Sequence, residues 1–533
     1  MLGHVAFVLA MVAVVFLSKL ISDRFNVPYT IVLTLFGLLY AVLPGPNLHI
    51  EPEVVLVVLI PPLLYSAARR SSLLAIRANW RPIVSLSVVL VLLTAFAVGF
   101  LVSLVVPGLP LAAGFVLGAA VAPPDPVAAL SVGRRAGMPP RLGTLISGEG
   151  LLNDATALTT YQVAVAATVG AGFSWAMAGG KFVLAAGGGL LVGAAIGLLL
   201  RLARPLFNDP LLANTASLAT PFVAYLLGEE LHVSGVLAVV IAGLMASHDA
   251  PRVESGATRL QTGAVWQLVE FLLEGLVFLL IGQQLPEVLK GLKDEPTGTI
   301  LAAAGVTLAA VLLVRPLWLV VTQLVPGRFG WRLGDPNPTL NRREVIAMSW
   351  AGTRGVITLG AIFAIPLTTD DGSPFPGRDL LLLCAYVVVL VTLVGQGLTF
   401  APLLRMLGLK ANPTEEAQLR NEARLAAIEA AKMVIDDMQA DHEIPPHTGS
   451  SMHDALQQRA DRYRARIDML QSTEDDDVTW TPEFEASVRA RHAVIDAQRD
   501  EYLRWRDSGR LPDESLRKLQ RELDHEESTL PGR

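Results

Sequence analysis

The sequence has 533 residues, of which 52% are hydrophobic and only 17% are charged, and its mean hydropathy is +0.49. These values exclude an ordinary soluble multi-domain protein, which has fewer apolar and more charged residues. The net charge of −6 is a sum over an apolar N-terminal part and a charged C-terminal part, so by itself it indicates no partner. The single cysteine, Cys384, excludes a disulfide framework.

Apolar stretches long enough to cross a hydrocarbon core of about 30 Å recur from Leu2 onward, and they predict about thirteen transmembrane helices. The first stretch has no basic segment before it and no small-residue cleavage site after it, so we expect a helix and not a signal peptide. The predicted spans are 3–21, 27–44, 53–68, 82–106, 110–133, 142–169, 182–203, 211–228, 232–247, 264–285, 300–322, 343–366 and 379–404.

Lysine and arginine are concentrated in alternate loops between these spans. By the positive-inside rule the basic loops are cytoplasmic, which predicts an N-terminus outside and a C-terminus inside a cell inner (plasma) membrane. The basic loops hold Lys19, Arg24, Arg69, Arg70, Arg77, Arg81, Arg134, Arg135, Arg141, Arg201, Arg204, Arg252, Arg259, Arg328, Arg332, Arg342 and Arg343.

The fifth predicted span, GFVLGAAVAPPDPVAALSVG, carries Asp125 among Pro123, Pro124 and Pro126. Prolines remove backbone donors and clash with the preceding turn, so the helix is expected to be interrupted beside the carboxylate. Such an interruption exposes carbonyls and half-helix ends, where transporters commonly bind ions. The alternative is a simple proline kink in which Asp125 caps the second half of the helix.

The sixth predicted span carries Glu149, Asn153 and Asp154 in an apolar helix. At helical rise, Asp125 lies roughly 14 Å and Asp154 roughly 20 Å from the basic loop that joins the two spans, so both lie near the membrane midplane. Two neighbouring carboxylates do not readily both stay ionised unless a cation or a proton compensates them. Because oxygen ligands suit hard cations, the pair predicts a site for a monovalent metal ion that competes with protons.

The twelfth predicted span carries Arg354 between Gly352 and Gly355, roughly 16 Å from its basic loop. Glu149 lies at a comparable depth, so we predict that Glu149 and Arg354 form a structural ion pair in the core. The fifth and twelfth spans are both interrupted, and the odd offset between them predicts an inverted repeat with two crossed discontinuous helices.

Two other spans carry notable patterns. The seventh contains Gly189, Gly193 and Gly197, a small-residue stripe suited either to a dimer face or to internal packing. In the tenth, Glu270 and Glu274 share one helix face. We expect Glu274 either to line the core or to pair with an arginine.

After about Lys410 the sequence becomes charged and helical in pattern. Two domains are therefore predicted, a transmembrane domain at 1–408 and a charged helical cytoplasmic domain at 409–533. The tail helices are expected near 414–440, 451–471, 482–507 and 512–528. A packed or dimerising appendage and a regulatory module are both compatible with this tail.

The strings at 122–129 (APPDPVAA), 148–158 (GEGLLNDATAL), 235–244 (GVLAVVIAGL) and 352–360 (GTRGVITLG) resemble the monovalent cation:proton antiporter family, which includes bacterial NhaP-type proteins and animal sodium/proton exchangers. The resemblance covers roughly residues 1 to 405. It implies an all-α polytopic fold, a homodimer in membrane lipid, and a role in pH homeostasis. It also implies exchange of Na⁺ (or Li⁺) for H⁺ by alternating access, with no cofactor, no nucleic-acid partner and no enzymatic activity.

The resemblance assigns roles residue by residue. Asp154 is the carboxylate that exchanges cation and proton, Asp125 is the second ligand or organiser, and Asn153 matches the electroneutral type. The sequence departs from the family where Pro124 replaces a frequent Thr and Gly150 a frequent Ser. Fewer protein oxygens leave the choice between Na⁺ and K⁺ open, so a K⁺/H⁺ antiporter is the alternative and an ion channel a more remote one.

Overall fold

The computed structural model describes residues 2–25, 27, 29–42, 55–171, 175–203, 206, 209–293, 295–324, 340–410, 413–472, 482–508 and 510–528. The chain divides into two compact units, Met1–Ala411 and Asn412–Arg533. Arg204, Arg328 and Arg332, and the ends of the second and third predicted spans within 43–54, lie outside the described residues. The cytoplasmic location and the role of the second unit stay predictions.

The described part of the first unit is built of helices. Each predicted span coincides with one of them, except that α6 and α7 are the two halves of the fifth span and α14 and α15 the two halves of the twelfth. The helices are α1 Leu2–Phe25, α2 Tyr29–Val42, α3 Ile60–Arg69, α4 Leu73–Ala78, α5 Trp80–Val105, α6 Leu111–Val121, α7 Pro126–Arg135, α8 Pro140–Ala166, α9 Trp175–Ala203, α10 Pro210–Glu230, α11 Gly235–Val253, α12 Gly256–Gly291, α13 Thr297–Leu324, α14 Arg342–Trp350, α15 Val356–Phe363 and α16 Arg378–Met406.

Among the described residues, six helices are individually long and apolar enough to cross a membrane: α5, α10, α11, α13, α16 and the part of α9 from Phe182. Their outward faces expose large apolar side chains such as Leu191, Leu301 and Leu313, which is the surface that lipid requires. The predicted all-α polytopic membrane fold is confirmed.

The helices of the first unit pack as two groups. In one group α12 packs along α2 and α9 packs along α11, with α1, α3 and α10 alongside. In the other group α5 packs on α6 and α13, with α8 and α16 alongside. The groups meet where α8 contacts α11 and where α12 contacts α15 and α16. The interrupted helices therefore belong to one group and face the other.

The glycine stripe of α9 serves internal packing. A methyl group at Gly189 would lie 2.5 Å from the Ser234 carbonyl oxygen, and one at Gly193 would lie 2.6 Å from the Ala238 carbonyl oxygen. Both oxygens belong to the start of α11, so the absence of side chains lets the two helix backbones approach closely. Of the two interpretations of this stripe, the contact within the chain is the one observed.

The described residues of the second unit form two helix pairs, each joined by a short connection. Buried Ile428, Ile435 and Ala460 lie in the first pair, and buried Ile495 and Leu523 lie in the second. The predicted tail helices therefore form with apolar faces covered by one another. They are α17 Pro413–Ala440, α18 Pro446–Ser472, α19 Pro482–Asp507 and α20 Asp513–Ser528.

We expect Gly193→Ala to lower the midpoint of thermal unfolding in detergent, because overpacking against a backbone oxygen typically costs about 1–3 kcal/mol. Gly187→Ala on the same helix is the matched control, since a methyl group there meets nothing within 4 Å. Equal midpoints for the two variants would contradict the close contact between α9 and α11.

Candidate functional site

Two helix interruptions lie against each other at the centre of the first unit. The first separates α6 from α7 and the second separates α14 from α15. The Asp125 N–H donates to the Thr353 carbonyl oxygen at 2.6 Å, and the Thr353 hydroxyl donates to the Asp125 carbonyl oxygen at 2.9 Å. These bonds satisfy backbone groups that the interruptions release from helical pairing. The predicted crossing of two discontinuous helices is confirmed.

Asp125 is held by the first turns of two half-helices. Its carboxylate accepts a hydrogen bond from the Val127 N–H at 2.8 Å and caps α7, whose first residue is Pro126. A methyl group at Gly355 would lie 1.5 Å from Asp125 Oδ2, so the carboxylate also rests against the start of α15. Helix N-termini carry partial positive charge, so the starts of α7 and α15 both place positive potential beside this carboxylate.

Arg354 does not pair with Glu149, and the prediction that it would is wrong. Its Nε donates to the Val121 carbonyl oxygen at 2.7 Å and its Nη2 to the Ala122 carbonyl oxygen at 3.1 Å, and a further bond reaches the Gly352 carbonyl. The buried guanidinium thus donates hydrogen bonds to the carbonyl groups at the interrupted end of α6. A cation is favoured there because a helix C-terminus carries partial negative charge.

Glu149 pairs with Arg315 of α13 in a two-point contact. Arg315 Nη2 donates to Glu149 Oε2 at 2.8 Å, and Nη1 donates to Oε1. The Arg315 Nε also donates to the Met348 carbonyl oxygen at 2.8 Å, and both charged side chains are buried. Sequence reasoning missed Arg315, although it is the lone charged residue in the apolar helix α13, which was a usable signal.

Asn153 and Asp154 project from α8 toward the first interruption. The Asn153 Nδ2 donates to the Pro124 carbonyl oxygen at 2.8 Å, so the amide holds α8 against the interrupted helix. Asp154 is buried, with only 5% of the residue exposed. Within the described part of the chain it nevertheless makes no hydrogen bond or ion pair. Asp154 is therefore the carboxylate of the pair whose charge the protein leaves without a partner.

Gly150 contacts Pro126 so closely that no side chain fits between them. A methyl group at Gly150 would lie 2.3 Å from Pro126 Cγ, which belongs to a rigid ring at the start of α7. The serine that the family resemblance leads us to expect at this position would clash with that ring. The departure at Gly150 thus has a packing reason.

Both aspartates line a cavity of about 510 Å³ between the two helix groups. Residues of α3 and α12 form one side of it, and residues of α7, α8 and α15 form the other. The cavity extends to Arg70 and Arg134, both exposed, on the face that the sequence predicts to be cytoplasmic. Asp125 and Asp154 therefore share one space that reaches toward that face.

The sequence model of the family described as sodium/hydrogen exchanger, transmembrane, matches residues 11–406. This match covers the whole of the helical unit that contains the cavity, except its ends. The chain belongs to the sodium/hydrogen exchanger family. The exchanger is thus a membrane transporter of monovalent cations and protons, as the resemblance in its sequence implied.

Two relatives agree with this assignment, and one solved structure shares the fold. An uncharacterized Na⁺/H⁺ exchanger of Mycobacterium tuberculosis is 32% identical over 98% of this chain and 95% of its own length. A sodium, potassium, lithium and rubidium/H⁺ antiporter of Bacillus subtilis is 34% identical over 73% of this chain and 59% of its own length. The sodium proton antiporter MjNhaP1 from Methanocaldococcus jannaschii shares the fold, with a TM-score of 0.61, 17% identity, and coverage of 76% of this chain and 98% of its own.

The two glutamates on α12 of the exchanger differ in their surroundings. Glu270 receives two hydrogen bonds from the Arg70 guanidinium and one from the Ser66 hydroxyl at 3.3 Å. Glu274 lines the cavity. Of the two expectations for Glu274, lining the core is the one observed, and it is Glu270 that pairs with an arginine.

We expect Arg315→Ala to reduce folded yield and to lower the unfolding free energy by about 3–5 kcal/mol, because it leaves Glu149 buried without its partner. The double variant Glu149→Gln with Arg315→Ala removes the stranded charge and is expected to recover part of the loss. The measurement is the thermal midpoint of the purified variants. A single variant as stable as the wild type would disprove the stabilising role of this pair.

Proposed function

We propose that the exchanger is a secondary active antiporter in which Na⁺ (or Li⁺) and H⁺ compete for Asp154, with Asp125 as the organising second ligand. The observation that carries this proposal is the unequal compensation of the two carboxylates in one cavity. Helix N-termini and the Val127 N–H hold Asp125, whereas Asp154 is buried with no partner among the described residues. Since an isolated buried carboxylate is costly, Asp154 requires a cation or a proton at all times.

The exchange is proposed to be one for one. Asn153 is neutral and its amide is engaged with the Pro124 carbonyl, so the position beside Asp154 adds no second negative charge. A single Na⁺ or a single proton then suffices to compensate the mobile charge. The neutral side chain of Asn153 thus supports an electroneutral cycle.

Alternating access is proposed to occur between the two helix groups. The cavity lies at their boundary, and the side of it formed by α7, α8 and α15 includes both aspartates. A displacement of that side relative to α3 and α12 would close the present opening and open the opposite one. We further propose a homodimer in the plasma membrane, as the family resemblance implies, with the C-terminal unit in the cytoplasm, as the basic loops predict.

K⁺/H⁺ exchange is the second candidate function. The Bacillus subtilis relative is named for sodium, potassium, lithium and rubidium, and it is 34% identical to this chain. Gly150 supplies no hydroxyl oxygen beside the aspartates, so the ion would complete its coordination with water and backbone carbonyls. A site with few fixed ligands discriminates less between ions of different radius.

We expect Asp154→Asn to abolish cation-driven proton movement in proteoliposomes supplied in turn with Na⁺, Li⁺ and K⁺, because the amide cannot carry a proton or balance a cation. Asp371→Asn is the control. It removes a carboxylate in an exposed loop, where hydroxyls of Thr369 and Ser373 donate to it and lower its pKa to about 2. Exchange that survives in Asp154→Asn would refute the assignment, and a K⁺ response equal to the Na⁺ response would favour the second candidate.

A further inference from the structure

Glu274 is a buried carboxylate that the exchange at Asp154 does not use. It lies on α12, its residue is 9% exposed, and it lines the same cavity as Asp125 and Asp154. Among the described residues it makes no hydrogen bond and no ion pair. A carboxylate in this setting is unfavourable unless something in the cavity compensates it.

Glu270 lies one turn earlier on the same face of α12, and neighbouring side chains compensate its negative charge. Its carboxylate is bound by the Arg70 guanidinium and by the Ser66 hydroxyl. Arg70 reaches the surface with a half-exposed side chain, so the Glu270–Arg70 pair marks the cavity entrance. The chain thus neutralises one of two neighbouring glutamates and leaves the other open to the cavity.

Glu274 lies on α12, one helical turn further along the chain than Glu270, and lines the cavity together with both aspartates. Four residues of helix separate it from Glu270, a step of about 6 Å toward the interior. The charged residues that line the cavity with it are Arg70, Asp125, Arg134, Asp154 and Glu270. Among the described residues, no three or more His, Cys, Asp or Glu side chains converge on one metal position. The carboxylates are therefore distributed along the cavity and do not form a single cage.

We propose that Glu274 is a third cation-binding carboxylate, a transit site that holds a monovalent cation after it has passed Glu270 and before it reaches Asp154. The proposal rests on cation exchange at Asp154. An ionised Glu274 raises the local cation concentration inside the cavity and replaces part of the hydration shell with a carboxylate oxygen. A cation thus meets two successive oxygen sites on the way to the interruption.

The alternative is a purely structural Glu274 that stays protonated and contributes only packing. The isosteric variant Glu274→Gln separates the two roles, because glutamine fills the same volume but binds no cation electrostatically. The matched control is Glu229→Gln on α10, where the carboxylate accepts a hydrogen bond from Gln162 at 3.3 Å and is not among the residues lining this cavity.

The experiment measures initial exchange rates against Na⁺ concentration in proteoliposomes for the wild type, Glu274→Gln and Glu229→Gln. We expect Glu274→Gln to raise the apparent KM for Na⁺ about tenfold, a loss of about 1.4 kcal/mol in cation binding, with Vmax little changed. Glu229→Gln is expected to keep the KM of the wild type. A KM within about twofold of the wild type in Glu274→Gln would overturn the transit site.

Two further variants keep the test decisive. If Glu274→Gln does not fold, Glu274→Asp retains the charge one methylene further back, and an intermediate KM is expected; a KM equal to that of the wild type overturns the proposal. Asp154→Asn distinguishes the two levels of the account. If that variant still exchanges Na⁺, the proposed function fails, whereas an inactive Asp154→Asn beside an unchanged Glu274→Gln refutes the transit site alone.

Discussion

The interruption of two helices at membrane depth is the constraint on which the rest of the exchanger depends. Backbone groups released there have no bulk water to bind, so the protein itself must satisfy them. Arg354 donates hydrogen bonds to the carbonyls at the end of α6, and Asn153 donates one to the Pro124 carbonyl. Thr353 and the Asp125 backbone are joined by two hydrogen bonds. Conserving these bonds during transport would require α7, α8 and α15 to move as one piece.

The five carboxylates around the interruptions and the cavity fall into two kinds once these bonds are placed. Arg315 neutralises Glu149, Arg70 neutralises Glu270, and helix N-termini stabilise Asp125. Asp154 and Glu274 have no such partner among the described residues. Asp154 and Glu274 line the same cavity, so the two carboxylates without a partner lie where an ion can reach them. This distribution separates the groups that hold the fold from those proposed to handle ions.

Much of this arrangement could be predicted from the sequence, because the relevant signals are local. Apolar length gives the spans, and prolines around Asp125 give the interruption, since both depend on the chemistry of consecutive residues. The partner of Glu149 could not be predicted in the same way. Depth along a helix says how far a charge lies from the loop but not which neighbouring helix it faces. Arg354 and Arg315 both lie within reach, and the carbonyls at the end of α6 decide between them.

The Gly150–Pro126 contact shows a second limit of the same kind. The sequence reveals that Gly150 replaces an expected hydroxyl, but only the packing of α8 on α7 shows that a proline ring fills that place. The departure at Gly150 is therefore explained by its packing against Pro126, the residue that follows Asp125. Without a serine hydroxyl at this position, water is expected to complete the coordination of a bound cation.

A cation and a proton are proposed to exclude each other at Asp154. The most direct measurement is calorimetric titration of the purified exchanger with Na⁺ at a series of pH values and in buffers of different ionisation enthalpy. If the two ions compete, the apparent Kd for Na⁺ rises as pH falls, approaching about tenfold per pH unit, and about one proton is released per Na⁺ bound. Binding of Na⁺ that is independent of pH and releases no proton would contradict it.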